Sequence, residues 1–169
     1  MGKTSLAKRA MVEQNVPFVS TDVLTHALGR TYPSTHLRGA TWTETPDLFF
    51  PFLQQFIRYT QKCISNYLIE GAAIYPSHVA TLMRETTIRA CFLGTSVISL
   101  RNIEEYASVD DWVSPLDEHE KHELPQRILE FSKLLESETS KLGIPYFDVG
   151  DDRNTEMQAA YNYLFNQGD

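Results

Sequence analysis

Cysteine is scarce in this chain: Cys63 and Cys91 are the only two in 169 residues. Both sit in apolar stretches, so they read as buried, reduced thiols of a cytoplasmic protein, not as a disulfide or a zinc pair. Basic residues are in deficit as well. Fifteen Lys and Arg stand against 22 Asp and Glu, for a net charge of -7. Nucleic-acid binding normally shows a basic excess, so no nucleic acid partner is expected. No apolar run reaches the roughly 18 residues that cross a bilayer, so no membrane partner is expected either. The N-terminus lacks the apolar core of a signal peptide. Internal repeats and low-complexity tracts are absent. What remains is 42% hydrophobic and 22% charged, the balance of an ordinary globular protein. Its length suits one domain with a sizeable core.

Short apolar runs at 17–21, 67–72, 90–96 and 145–149 alternate with helical patterns. Within each run apolar and polar residues do not alternate, which fits parallel strands covered on both faces. Helices are predicted over 4–14, 22–28, 47–65, 77–84, 116–142 and 152–165. Thr21 is the expected cap of the second helix and Gly29 its stop. Thr45 caps the third and Pro46 opens it. The stripe of Leu48, Phe49, Phe52, Leu53, Phe56, Ile57, Cys63 and Ile64 along it reads as core. Pro125 is expected to break the fifth helical region and Gly143 to end it. Strand–helix alternation predicts an α/β protein, a three-layer sandwich around a parallel sheet.

The most specific motif stands at the start, Met1-Gly2-Lys3-Thr4-Ser5. It matches the second half of a phosphate-binding loop, G-x-x-x-x-G-K-[ST]. In such a loop, backbone N–H groups and the Lys hold phosphates, and the Ser/Thr hydroxyl binds Mg²⁺. Gly2 is then the last loop glycine, Lys3 the phosphate lysine, Thr4 the metal ligand and Ser5 its neighbour. The first loop glycine and the strand feeding it would lie before residue 1. The first strand is therefore expected to be missing, with a start placed too far downstream as the expected cause. A gap or an exposed sheet edge should mark its place.

Strand ends supply further candidates, because ligands of parallel sheets bind at the carboxyl ends of the strands. Asp22 ends the first run and is placed to orient or deprotonate a substrate hydroxyl. It also suits the start of a helix through the helix dipole. Glu70 interrupts an apolar strand, and a buried carboxylate needs a partner, either a magnesium ion or a nearby Arg. Gly71 permits close approach of a ligand or of backbone. Asp148 and the turn 150–154 end the last run, as a bracket for a base or as a capped turn. Cations are required around a transferring phosphoryl group. Arg30 and Arg38, in the Gly/Thr/Ser/Tyr-rich stretch 29–45, and Arg101 and Arg127 are the candidates. His119 and His122 do not match His-Glu-x-x-His spacing and read as a solvated helix face.

Together, Gly2-Lys3-Thr4-Ser5, Ser20-Thr21-Asp22, Ile69-Glu70-Gly71 and Ile144-Pro145-Tyr146-Phe147-Asp148 resemble the P-loop kinases of the nucleoside-monophosphate-kinase type. Within that group, Ser20-Thr21-Asp22 and Ile69-Glu70-Gly71-Ala72-Ala73-Ile74-Tyr75-Pro76 look most like 2-phosphoglycerate kinase-like proteins. The resemblance spans nearly the whole chain. It implies ATP, Mg²⁺ and a small, hydroxyl-bearing, often anionic acceptor. Gly2, Lys3, Thr4 and Ser5 would hold the nucleotide, and Thr4 and Glu70 the metal. Asp22, Arg30, Arg38, Glu70 and Gly71 would hold the acceptor, with Lys3, Asp22, Arg101 and Arg127 catalytic. The chain departs from the pattern in the first strand, in the first loop glycine and in an acidic, arginine-poor lid stretch at 108–123. A regulatory nucleotide-binding protein without turnover is the alternative, and an α/β domain with an accidental Gly-Lys-Thr is a third reading.

Overall fold

A computed structural model describes residues 2–106, 113 and 116–165. Met1 and positions 108–112, 114 and 115 of the stretch read as a lid lie outside the described residues. The class is mixed α/β, with seven helices and four short strands among the described residues. The chain divides into two compact units, Gly2–Arg89 and Ala90–Asp169.

In the first unit, strand β1 (Phe18–Ser20) pairs in parallel with β2 (Leu68–Glu70), with Phe18 opposite Leu68 and Ser20 opposite Glu70. Helix α1 (Lys3–Gln14) packs against both strands. Its Ala7 and Ala10 are fully buried, and small side chains there allow a close approach. Asn15 ends α1 in the left-handed conformation (φ 53°), its N–H bonded to the Ala10 carbonyl. Leu68 N–H donates to the Pro17 carbonyl. In a parallel ladder the next residue turns its backbone groups the other way, so Ile69 faces the edge away from β1. No described strand pairs with that edge.

Helix α2 (Thr21–Thr31) follows β1 without a loop, and Ser20, not Thr21, occupies the cap position. Gly29 does not stop it. A Cβ at Gly29 would lie 2.9 Å from the Arg38 nitrogen, so the glycine admits the returning 37–38 backbone. Helix α3 (Thr45–Thr60) carries the core. Phe49, Leu53 and Ile57, four residues apart on one face, pack with Leu37, Ala73 and Leu82. Leu82 belongs to α4 (Pro76–Glu85). Of the expected stripe, Leu48 and Phe52 are 40% and 37% exposed. Because α3 ends at Thr60, Cys63 and Ile64 fall in the turn beyond it. Cys63 is exposed, contrary to the buried thiol read from the sequence.

In the second unit, β3 (Phe92–Gly94) pairs in parallel with β4 (Tyr146–Asp148). Helix α5 (Leu100–Tyr106) was not legible as an apolar period, but Ser99 and Asn102 exchange cap bonds at its start. Helix α6 (Glu118–Leu142) opens on a capping box between Asp117 and Glu120 and closes at Gly143 (φ 66°). It runs through Pro125 unbroken. A proline in a helix interior costs about 3 kcal/mol, yet α6 packs on β3 and β4 and buries Ser132, Leu135 and Thr139 beyond it, and that burial outweighs the cost. Ser132 on α6 accepts the Thr95 N–H at 3.1 Å. Helix α7 (Arg153–Phe165) packs on β4. Burial pushes the Cys91 thiol up to about 12, so it is inert at neutral pH.

One contact fixes the geometry of the first unit. Gly71 follows β2 with φ 146°, and a Cβ there would sit 1.8 Å from the Thr21 hydroxyl oxygen. Gly143, also at positive φ, has open space around it. Gly143→Ala should therefore cost about 1 kcal/mol from backbone strain alone. Gly71→Ala adds an irreconcilable overlap and should cost more than about 2 kcal/mol. Urea unfolding of the two variants checks this order, and equal losses would show that the strand ends are not held this tightly.

Candidate functional site

Of the candidate residues of the first unit, Asp22 follows β1, Glu70 ends β2 with Gly71 after it, and Thr4 of α1 reaches Glu70. Thr21 is fully buried, and its hydroxyl accepts the Ala73 N–H at 3.4 Å. The next residue, Asp22, is exposed at the first turn of α2. Its Oδ1 accepts the Ala72 N–H at 3.3 Å and the Thr21 hydroxyl at 3.5 Å. Those bonds orient the carboxylate, and Oδ2 has no protein partner among the described residues. Gly71 thus serves the close approach of Thr21, with the Ala72 amide placed on Asp22 as a result.

Asp22 borders a cleft of about 610 Å³. Arg30 and Arg38 line it too, together with His26, Trp42 and the backbone at Gly29 and Gly39. Neither Arg30 nor Arg38 has an ion-pair partner among the described residues, and both share the cleft with Asp22. His26 and Trp42 were not singled out from the sequence. Asp22, His26 and Arg30 are spaced by four, which places them on one face of α2, and that spacing was the available signal. Trp42 comes from the 36–45 connection and had no such signal.

Helix α1 begins at Gly2 (φ 96°) with no side-chain cap. Its first internal bond runs from Leu6 N–H to the Gly2 carbonyl, leaving the N–H groups of Lys3, Thr4 and Ser5 without an intrahelical acceptor. The Thr4 hydroxyl donates to Glu70 Oε1 at 3.4 Å. Glu70 is only 8% exposed, and no Lys or Arg pairs with it among the described residues. The two residues read as metal ligands are therefore neighbours, and a salt bridge does not account for Glu70.

Arg101 on α5 and Arg127 on α6 are exposed and belong to the second unit. There the Asp148 carboxylate accepts N–H bonds from Ser96 and Gly150, both at 2.9 Å. Burial pushes its pKa up, but these bonds outweigh burial and hold it below the usual range. Asp152 caps α7 by accepting the Thr155 N–H at 3.1 Å. Both acids thus build a turn. His119 and His122 are exposed on α6, with His119 3.6 Å from Glu123. Among the described residues, no three His, Cys, Asp or Glu side chains are placed to hold a metal ion.

No family model, no curated protein and no solved structure matches this chain.

Magnesium takes oxygen ligands and keeps several waters, so it is commonly held by one or two protein oxygens plus phosphates. The Thr4 hydroxyl and the Glu70 carboxylate are donors of that kind. Without a cation, a buried carboxylate with one 3.4 Å partner is a cost to the fold. Glu70→Gln should therefore raise the melting midpoint of the ligand-free chain, by about 2–4 °C for each kcal/mol relieved. It should also abolish any further rise on adding Mg²⁺ with ATP. A lower ligand-free midpoint would mean that Glu70 has a structural role.

Proposed function

We propose that this chain is an ATP- and Mg²⁺-dependent phosphotransferase acting on a small, hydroxyl-bearing, anionic metabolite in the cytoplasm, on a P-loop-type three-layer sandwich. The observation that carries the reading is the Thr4–Glu70 contact. It sets a buried carboxylate, without a Lys or Arg partner among the described residues, beside a helix start that has no side-chain cap and bears Lys3. The parallel pairing of β1 with β2, and the packing of α1 on both, support the sandwich.

The roles follow from charge and position. The free N–H groups at the start of α1 and the Lys3 ammonium suit phosphate oxygens. Thr4 and Glu70 would hold Mg²⁺, which supplies charge neutralisation at the phosphates when bound. Arg30 and Arg38 hold the anionic part of the acceptor. Asp22 accepts the acceptor's hydroxyl proton as its oxygen bonds to the γ-phosphorus and the bond to ADP breaks. Positioning and electrostatics supply most of the rate in such transfers, and these groups provide both.

Calorimetric titration with ATP, with and without Mg²⁺, is the first test, followed by ADP release across a panel of hydroxy acids and phosphorylated metabolites. Lys3→Ala should weaken ATP binding about tenfold or more. Arg38→Ala should raise the acceptor KM and leave ATP affinity unchanged. Equal ATP affinity in wild type and Lys3→Ala would remove the reading. Binding without turnover across the panel would favour a regulatory nucleotide-binding domain.

A further inference from the structure

His78 is only 8% exposed, yet both of its ring nitrogens are engaged. Nδ1 accepts the Tyr75 N–H at 3.3 Å, and Nε2 donates to Asp47 Oδ1 at 3.0 Å. The Phe50 ring stacks on the imidazole at 4.2 Å with the planes 10° apart. Tyr75, the N-cap residue of α4, donates its hydroxyl to the Thr43 carbonyl at 2.9 Å. Pro46, at the start of α3, is fully buried, and residues 38–45 add no side chain to the apolar core cluster. Local bonds also link Thr41, Thr43, Glu44 and Thr45. That same segment supplies Ala40, Trp42 and Thr45 to the cleft.

We propose that His78 is a positioning residue for the Asp22 cleft: through Asp47 and Tyr75 it pins the 40–45 wall to the start of α4, and acid releases it. The pinned arrangement requires a neutral ring with its proton on Nε2. A proton added at Nδ1 would point at the Tyr75 N–H, two donors facing each other, so that bond must break. Asp47 is the charged group that faces His78 from α3, and Tyr75 is the titratable group at the cap. The Arg58–Glu85 pair joins α3 and α4 further along both helices. Burial holds His78 below the ordinary value of 6.5, and the Asp47 carboxylate partly offsets this. With the folded value depressed, the clamp is intact at neutral pH and fails as pH falls through that value. The consequence for acceptor binding rests on the proposed function; the clamp itself does not.

Trp42 reports on the wall directly once Trp112, the other tryptophan, is replaced by Phe. In that background, acrylamide quenching of Trp42 is followed from pH 8 to 5, with circular dichroism confirming that the chain stays folded. Sulfate, whose charge is constant over this range, is the probe for the cleft, with His26 of the cleft wall replaced by Asn so that the cleft gains no charge of its own. Quenching should rise and sulfate affinity should fall roughly two- to tenfold on acidification, the factor that one net hydrogen bond carries. Asp47→Asn should move the transition to lower pH, because it removes the charge that favours protonation. His78→Asn, which keeps an acceptor for the Tyr75 N–H but does not titrate, should be flat in pH. Tyr75→Phe should raise quenching already at pH 8, and it tests the wall even if His78 variants do not fold. Quenching and sulfate affinity that are flat in pH, and unmoved by Asp47→Asn and Tyr75→Phe, would overturn the proposal. Arg30→Ala with Arg38→Ala should abolish sulfate binding whether or not the chain uses ATP, so failure of the kinase reading stays distinguishable.

Discussion

Thr21 and Gly71 stand so close that no Cβ fits between them, and the site of the first unit depends on that approach. The Thr21 hydroxyl takes the Ala73 amide, and the following carboxylate, Asp22, takes the Ala72 amide. Two strand ends are thereby tied by side chain to backbone just past the last ladder pair, Ser20 and Glu70. This lock leaves α2 running directly out of β1, with Asp22, His26 and Arg30 along one face towards the cleft. A looser junction would free Asp22 to rotate, and with it the geometry of the cleft.

Around this lock, charge is distributed in a way that stability alone does not explain. Among the described residues, Glu70 is buried without a Lys or Arg partner, Arg30 and Arg38 line the cleft without an ion pair, and the first amides of α1 have no side-chain cap. Each of these carries a cost or forgoes a gain. A phosphate with a divalent cation at the start of α1 would supply charge to the amides and a counter-ion to Glu70, and an anionic group in the cleft would meet the arginines. Elsewhere the unit follows the rules of stability. Phe49, Leu53 and Ile57 present one apolar face to the core, and Arg58 meets Glu85 at the surface. His78 lies between the two regimes, fully bonded but only in its neutral form.

Much of the fold was legible in the sequence. The four strands lie within their apolar runs, and α1 and α4 start and end within a residue or two of their patterns, because local periodicity decides those elements. Gly29 and Pro125 were misread, since both carry strong local rules that tertiary packing overrides. The reason Gly29 tolerates helix is the backbone at Leu37 and Arg38, which no local rule includes. Asp22 and Glu70 stand at the strand ends as expected, because topology places them there. Trp42 and the His78–Asp47 pair were not legible, as the latter joins residues 31 apart whose meeting depends on how α3 and α4 pack.

The central claim is that the start of α1 and the ends of β1 and β2 form one metal–phosphate site. Paramagnetic broadening of the backbone amide spectrum by Mn²⁺ with ATP tests it most directly. The account predicts that the resonances of Thr4, Ser5 and Glu70 broaden first, with those of Asp22 and Gly71 next. Broadening that centres elsewhere, or that follows surface carboxylates such as those of α6 without touching Thr4 and Glu70, would contradict it.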